Sequence, residues 1–192
     1  MAATTSCQSV PEHLEAHLGR ISRGWGVEDR AHGIQIVSFA DRPENGVTTF
    51  ASLGLSNHVL PLSSGRSSRQ EIVMSVHDSS PREAVGSFML SFSEHLLGRK
   101  RALLRGEVVG PWQPIISGAT VDAIYATNPT PFDEGFAVFK GTEPPTLFVL
   151  LVPIAASEAT LIAEKGWDWF ESALESQNPD IWDLNRTERV KA

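Results

Sequence analysis

One segment late in the chain constrains the fold more than any other. Residues 146–152 (TLFVLLV) are apolar at successive positions, and Pro153 follows them. A strand that is apolar on both sides must be covered on both faces, which is typical of a central strand with layers on each side of its sheet. The segment is too short to span a bilayer, which takes about 20 apolar residues. We therefore expect a sheet whose middle strand covers residues 146–152 and ends at Pro153.

The remaining predicted strands show the alternating or short apolar runs of half-buried strands. They cover residues 34–39, 47–55, 71–77, 121–126 and 136–139. Residues 43–46 (PENG) form a turn signal, because Asn-Gly adopts positive φ at little cost. We expect the two strands that flank this turn to form a hairpin, and residues 60–70 to form a polar loop.

Helical signals follow the first three of these strands and lie near both ends of the chain. The strongest begins at Ser80, a capping residue that is followed by Pro81 and, three positions after the cap, by Glu83. Apolar residues then recur at helical spacing until Gly98 ends the run. Further helices are expected over residues 11–18, 157–165 and 167–176. Because strands cluster together and helices cluster together, the predicted class is α+β with a mostly antiparallel sheet.

Charge and cysteine content limit the partner and the compartment. The 192-residue chain has a net charge of −7. That charge disfavours nucleic-acid binding, because phosphate contacts need a basic surface. It mildly favours a basic partner, but we prefer the interpretation that it keeps the protein soluble. Cys7 is the only cysteine, so no internal disulfide can form, and a reducing compartment fits best. The N-terminus (MAATTSCQSVPEHLEAH) lacks the features of a signal peptide, so we expect a cytoplasmic protein without a membrane segment.

Ser56 is the main candidate for a catalytic nucleophile. It lies in the string GLSNH (54–58), in which His58 replaces the second glycine of a nucleophile elbow. A serine hydrolase also needs a histidine base held by an acid, a role open to His58 or to His77 beside Asp78. An elbow requires a helix directly after the serine, and none is expected here. We therefore prefer the interpretation that Ser56 hydrogen-bonds the backbone where its strand ends.

Two further patterns carry weaker chemical signals. His13 and His17 share a helical face, but the glutamate of a zinc-protease helix is displaced by one position and no third ligand is evident. Arg66 and Arg69 could meet a phosphate, but they lack the glycine spacing of a phosphate-binding loop. We interpret the segment with His13 and His17 as a solvated amphipathic helix, and the segment with Arg66 and Arg69 as a flexible loop. The sequence thus predicts no catalytic residue, no metal site and no cofactor.

The tryptophans divide into core and interface candidates. We expect Trp167 and Trp182 to pack in the core. Trp25, between Gly24 and Gly26, and Trp112, after Gly110 and Pro111, are expected to lie in loops. Tryptophans are enriched at contact sites between proteins. Trp25 and Trp112 are therefore candidate interface residues.

Four short motifs occur in order along the chain. They are residues 48–56 (TTFASLGLS), residues 71–74 (EIVM), residues 149–154 (VLLVPI) with Glu158, and residues 183–186 (DLNR). The set resembles the suppressor-of-fused-like domain family, especially its stand-alone bacterial form. The signature residues are Gly54, Leu55, Ser56, Glu71, Pro153, Glu158, Asp183 and Arg186. The match covers roughly residues 30–190, so we interpret residues 1–30 as an N-terminal helix and extension and residues 31–192 as a single globular unit.

The resemblance implies an α+β fold with a mixed sheet flanked by helices, no known enzymatic activity, and protein binding. The animal relative sequesters a transcription factor. Bacterial members are proposed to be immunity proteins that neutralise toxins of competing cells. The leading hypothesis is therefore an immunity protein with a protein partner. The alternatives are a general protein-interaction regulator without a toxin partner and, more remotely, a serine hydrolase that uses Ser56.

The signature residues also have structural interpretations. Gly54 permits an unusual backbone angle or a close approach at the end of a strand. Glu158 lies in a first helical turn, where the helix dipole favours an anion. Asp183 and Arg186 are expected to form a local pair or to anchor the tail to the sheet. Under this interpretation these residues build the scaffold, and the partner surface lies in loops.

Overall fold

The computed structural model describes residues 9–26, 33–62 and 65–192. Cys7 and the predicted boundary between residues 30 and 31 lie outside the described residues. Within the described ranges, four helices, α1 to α4, cover Val10–Leu18, Arg82–Arg99, Ala156–Lys165 and Trp167–Gln177. Nine strands of the same ranges, β1 to β9, cover Arg23–Trp25, Gln35–Ala40, Val47–Leu53, Leu60–Pro61, Ser67–His77, Val108–Val109, Ala123–Thr127, Val138–Phe139 and Thr146–Ile154.

These strands form one mixed sheet. Its main order is β1-β2-β3-β5-β9-β7-β6, with β4 beside β5 and β8 beside β9. β5 and β9 run parallel, and the other described pairings are antiparallel. The predicted α+β class with a mostly antiparallel sheet is therefore confirmed. β1 joins this sheet from the segment that the sequence assigned to the N-terminal extension.

The predicted hairpin is confirmed, while the predicted loop over residues 60–70 is wrong at both ends. β2 and β3 pair antiparallel around the turn, and the Asp41 carboxylate accepts a hydrogen bond from the Gly46 amide at 3.0 Å. β4 forms at Leu60, and β5 already begins at Ser67. The polar start of β5 is extended because its backbone pairs with β4 and, from Arg69 onward, with β9.

β9 lies between β5 and β7, and it continues through Pro153 to Ile154, so the prediction that Pro153 ends the strand is wrong. The ladder with β5 stops at Leu150. The Pro153 carbonyl accepts a hydrogen bond from Arg186 rather than from β7. The amide and carbonyl of a strand residue point to the same side. The missing amide of Pro153 therefore faces the side where the β5 ladder has ended, and the strand loses no ladder bond there.

Two apolar layers cover the two faces of the sheet. On one face, α2 packs over side chains of β3 and β5, with Phe50, Met74, Met89 and Leu96 fully buried. On the other face, α1, α3 and α4 pack over β7 and β9. The buried residues there include Leu14, Tyr125, Phe136, Leu150 and Phe170. This arrangement confirms that β9 is covered on both faces.

The ends of α2 differ from the prediction. Pro81, not Ser80, occupies the N-cap position, and no side chain caps the helix. Glu83 instead accepts a hydrogen bond from the Trp25 indole at 2.7 Å. The helix runs past Gly98 to Arg99, and Lys100 ends it with a left-handed φ of 53°. Among the described residues, no helix combines the length and apolar content that a membrane crossing needs.

Candidate functional site

Three signature residues, Gly54, Ser56 and Glu71, meet at a buried carboxylate. Glu71, which is fully buried in β5, accepts hydrogen bonds from the Gly54 and Ser56 amides, each at 3.0 Å, and from the Ser52 hydroxyl. Gly54 has a φ of 100°, and a Cβ there would lie 2.7 Å from the Gly33 carbonyl oxygen. Burial raises the pKa of Glu71, and the hydrogen bonds it accepts offset only part of that effect. The carboxylate thus holds the short 3₁₀ turn Leu55–Asn57 that follows β3.

Ser56 is not displayed as a nucleophile would be. Its side chain is buried, and its carbonyl accepts a hydrogen bond from Arg69 at 2.7 Å. β4 follows the turn where an elbow would have a helix. His77 pairs with Val47 at the opposite end of β3, about 20 Å from Ser56 for a strand of that length. The pairing of Ser56 with His77 is therefore wrong, and Arg69 serves the turn rather than a phosphate.

Three further signature residues, Pro153, Glu158 and Arg186, meet at a second buried carboxylate. Glu158 is fully buried and accepts hydrogen bonds from the Ala155 amide at 2.9 Å, the Val190 amide at 3.1 Å and the Arg186 guanidinium at 2.8 Å. Arg186 also donates to the Pro153 carbonyl at 2.7 Å. The expected local ion pair between Asp183 and Arg186 is wrong, because Asp183 instead accepts from the Asn185 amide. Arg186 anchors the tail, as the alternative expectation stated.

The two histidines of α1 are also part of the packing. His13 is buried, its Nε2 lies 2.9 Å from the Phe136 carbonyl oxygen, and its ring stacks on Phe148. Burial lowers the pKa of His13, with a smaller contribution from His17. The interpretation of α1 as a solvated helix is therefore wrong for His13. In the described ranges, no group of three or more His, Cys, Asp or Glu side chains is placed to hold a metal ion.

The tryptophans are placed differently from the expectation. Trp167 is 41% exposed, so its assignment to the core is wrong, and Trp182 is half-buried. The loop placement of Trp25 is wrong, because Trp25 lies in β1 and pairs with Ile36 of β2. Its side chain packs on Phe50 and against Gly86, where a Cβ would lie 2.8 Å from the indole. Trp112 is 45% exposed. The interface role of Trp25 and Trp112 stays a prediction.

A cleft with a volume of about 580 Å³ opens between α4, the end of β7 and the turn that follows α4. We call it the α4 cleft. Its apolar lining comprises Pro131, Leu150, Val152, Leu174, Pro179, Ile181 and Trp182. Its ionisable lining comprises Glu44, Glu171, Glu175, Asp180, Arg105 and His77. The cleft therefore combines an apolar floor with a mainly acidic wall.

Glu171 organises the inner wall of the cleft. It accepts hydrogen bonds from the Tyr125 hydroxyl at 2.9 Å, from the Thr127 hydroxyl at 2.6 Å and from Arg105 through both carboxylate oxygens. Burial acts to raise the pKa of Glu171, but the hydrogen bonds from Arg105, Thr127 and Tyr125 outweigh it and lower the pKa. Burial and the neighbouring carboxylate raise the pKa of Tyr125. Glu171 is thus held as a carboxylate and Tyr125 as a neutral donor.

Two contacts order the outer wall. His77 Nε2 lies 2.7 Å from the Asp180 carboxylate, and the Trp182 indole donates to Glu44 at 3.1 Å. The sequence did not identify this cleft. Its residues come from segments as far apart as Glu44 and Trp182, and no local pattern links them.

A second, smaller groove of about 240 Å³ lies near the start of β9. Leu104, Val138 and Leu147 line it, and each is more than one third exposed. Arg105 and Thr127 line both this groove and the α4 cleft.

Comparison with known proteins identifies the family. The family model described as Suppressor of fused protein (SUFU) matches residues 30–187. Immunity protein YqcF of Bacillus subtilis (strain 168) is 22% identical over 172 residues, which cover 87% of this chain and 86% of that protein.

Two crystal structures have the same fold. A suppressor of fused homolog from Neisseria gonorrhoeae FA 1090 matches with a TM-score of 0.73 and 15% identity, over 94% of both chains. A chain of the Sufu–Fu complex matches with a TM-score of 0.69 and 11% identity, over 95% of this chain and 90% of that chain. At these identities the structural likeness shows the fold.

Proposed function

Because the chain belongs to the suppressor of fused family, we propose that it is a protein-binding module, namely an immunity protein that neutralises a cognate toxin by binding it. The observation that carries the proposal is the similarity, along 87% of the chain, to a relative named as an immunity protein. The family match over residues 30–187 includes both carboxylate centres and most of the sheet. We also propose that the protein acts in the cytoplasm. The cytoplasm is reducing, which suits a chain whose single cysteine cannot form an internal disulfide.

The geometry of the signature residues supports binding rather than catalysis. Glu71 and Glu158 are fully buried, and each accepts three hydrogen bonds from the fold. Ser56 is buried beside the first of them. A general acid or nucleophile must reach its substrate, and these groups are directed at the protein itself. We therefore assign them to the scaffold and propose that the protein acts without catalysis.

The test is co-expression with a toxin. The reading frame next to this gene would be placed under an inducible promoter, with and without this protein, and growth would be measured after induction. We expect restored growth and a stoichiometric complex by size-exclusion chromatography and native mass spectrometry. The matched control is an unrelated toxin, which should not be neutralised. Absence of both rescue and complex would contradict the proposal.

The same assay tests the absence of catalysis. Ser56→Ala removes only a hydroxyl, so the variant should rescue growth as well as the wild-type protein does. Loss of rescue by a variant that remains folded would favour the hydrolase hypothesis.

A second candidate is a general regulator of another protein, without a toxin. It is favoured by the likeness to a chain of the Sufu–Fu complex, in which a relative is bound to a second protein. Neighbouring genes of regulatory or metabolic type, together with a stable complex with one of their products, would favour this candidate over the immunity protein.

A further inference from the structure

We propose that the α4 cleft is the surface that receives the protein partner, and that its occupant is a partner segment that carries lysine or arginine beside apolar side chains. The inference rests on the proposed function, because it takes the ligand to be a protein. It adds a location and a chemistry, neither of which follows from the family match.

The size and lining of the cleft suit several side chains of a partner. Its volume of about 580 Å³ lies within the range of about 300–1,000 Å³ that is typical of pockets for small ligands, so it has room for side chains of a partner. Leu150 and Val152 of β9 form the floor, but each is only 2% exposed, so the apolar surface open to an occupant comes from the half-buried Leu174, Ile181 and Trp182. Apolar side chains of an occupant would bury against these residues, which provides a driving force that does not depend on charge.

Charge complementarity decides which occupant fits. Four carboxylates line the cleft against one guanidinium, which gives a local charge of −3 with His77 neutral. This is a large share of the −7 of the whole chain. Arg105 is already bound through both oxygens of Glu171, and Asp180 lies against His77, so the exposed Glu44 and Glu175 contribute most of the charge at the mouth. A cation on the partner is attracted to this mouth, and an acidic segment is repelled.

The walls of the cleft are organised in advance. Tyr125, Thr127 and Arg105 hold Glu171, while Trp182 holds Glu44. Because these side chains are already ordered, less conformational entropy is lost when a partner binds.

An exposed aromatic side chain lies next to the cleft. The Arg105 guanidinium lies 4.7 Å from the ring centroid of Trp167, and this indole is 41% exposed. Tryptophan and arginine are enriched among the residues that contribute most to protein interfaces. The pair therefore extends the apolar contact area beyond the floor of the cleft.

A second copy of this chain is a poorer occupant. Each copy carries −7, so two acidic surfaces would have to meet. The smaller groove at Leu104, Val138 and Leu147 is apolar, but it has no comparable charge to select a partner.

The experiment uses two variants and a matched control. Glu175→Arg reverses an exposed charge at the mouth of the cleft, and Thr130→Trp fills the cleft from an exposed loop without changing charge. Glu164→Arg makes the same charge change on the exposed face of α3, outside the cleft. Unfolding temperatures of the three variants, compared with the wild type, report whether each one folds.

The probe is a phage-displayed library of random 12-residue peptides, selected on the full-length wild-type protein. Enriched peptides would then be synthesised, labelled, and measured by fluorescence anisotropy at low and high salt. We expect peptides with lysine or arginine beside apolar residues. Glu175→Arg and Thr130→Trp should each weaken their binding by about tenfold, Glu164→Arg by less than twofold, and added salt should weaken wild-type binding. Selection of acidic peptides, or equal effects of Glu175→Arg and Glu164→Arg, would overturn the proposal.

The growth assay separates this inference from the proposed function. Neutralisation of a toxin by wild type and Glu164→Arg, but not by Glu175→Arg or Thr130→Trp, supports both. Full neutralisation by all three variants keeps the immunity function and overturns the assignment of the cleft as the partner surface. If peptides bind in the cleft but no toxin is neutralised, the cleft is supported as a binding surface and the proposed immunity function is contradicted.

Discussion

Removing Arg186 should destabilise the protein more than removing any surface arginine. The guanidinium donates to the Pro153 carbonyl at 2.7 Å and to Glu158 at 2.8 Å, and the two side chains of the ion pair are 2% and 0% exposed. Arg186→Ala takes away both bonds and leaves the Glu158 carboxylate buried without its cation.

The size of the loss follows from these contacts. Hydrogen bonds to charged groups contribute about 1.5–3 kcal/mol each, and removing one partner of a buried ion pair costs about 3–5 kcal/mol. Glu158 keeps its bonds from the Ala155 and Val190 amides, so we expect the lower end, about 3 kcal/mol. With a urea m-value of about 2 kcal/mol/M, the unfolding midpoint should fall by about 1.5 M.

Urea unfolding monitored by tryptophan fluorescence measures this shift. The control is Arg82→Ala, which removes an exposed ion pair with Asp78 whose side chains are 40% and 39% exposed and should cost less than about 1 kcal/mol. The double variant Glu158→Gln with Arg186→Met should recover part of the loss, since no buried charge is left unpaired. Equal losses for Arg186→Ala and Arg82→Ala would refute the reasoning.

Two further predictions concern the turn after β3. The raised pKa of Glu71 means that its contribution to stability is fully present below the pKa of the unfolded chain and is lost as pH rises through the folded pKa. The stability of Glu71→Gln relative to wild type should therefore increase as pH rises from the pKa of the unfolded chain to the raised pKa of the folded protein. Urea unfolding at a series of pH values measures this difference. A constant difference would contradict the prediction. Gly54→Ala should cost about 1–3 kcal/mol, because its φ is 100° and the new Cβ would lie 2.7 Å from the Gly33 carbonyl oxygen. An unchanged unfolding midpoint would contradict this explanation, with Gly98→Ala, whose Cβ would meet nothing within 4 Å, as the control.

The sequence predicted strands and helices well where apolar residues recur at a regular spacing. Alternation located β3 and β5, but it indicated only one covered face, whereas polar side chains on the other face of these strands are buried as well. The continuous apolar run of β9 did report two covered faces, because side chains alternate across a strand. Ends of elements were predicted less well. Pro153 lies inside β9, and Ser67 already begins β5, because neighbouring segments pair with these strands, and a local pattern does not contain those segments.

The signature residues show the same division at the level of chemistry. Their order along the chain was sufficient to indicate the family, and the structural role of Gly54 could be inferred from its position. The partners of Glu71, Glu158 and Arg186 could not, because Glu158 and Arg186 are separated by 28 positions and meet only when the tail folds back.

Local periodicity in the amino-acid sequence thus indicates the class of fold. The face of a strand or helix on which a side chain lies is set by its position in the repeat, which can be read from adjacent residues. The pairing of buried charges and the α4 cleft depend on how distant segments meet. Glu44, Arg105 and Glu171 share a cavity only after β9 has brought β5 and β7 together. That long-range geometry, rather than any short motif, decides where this protein can hold a partner.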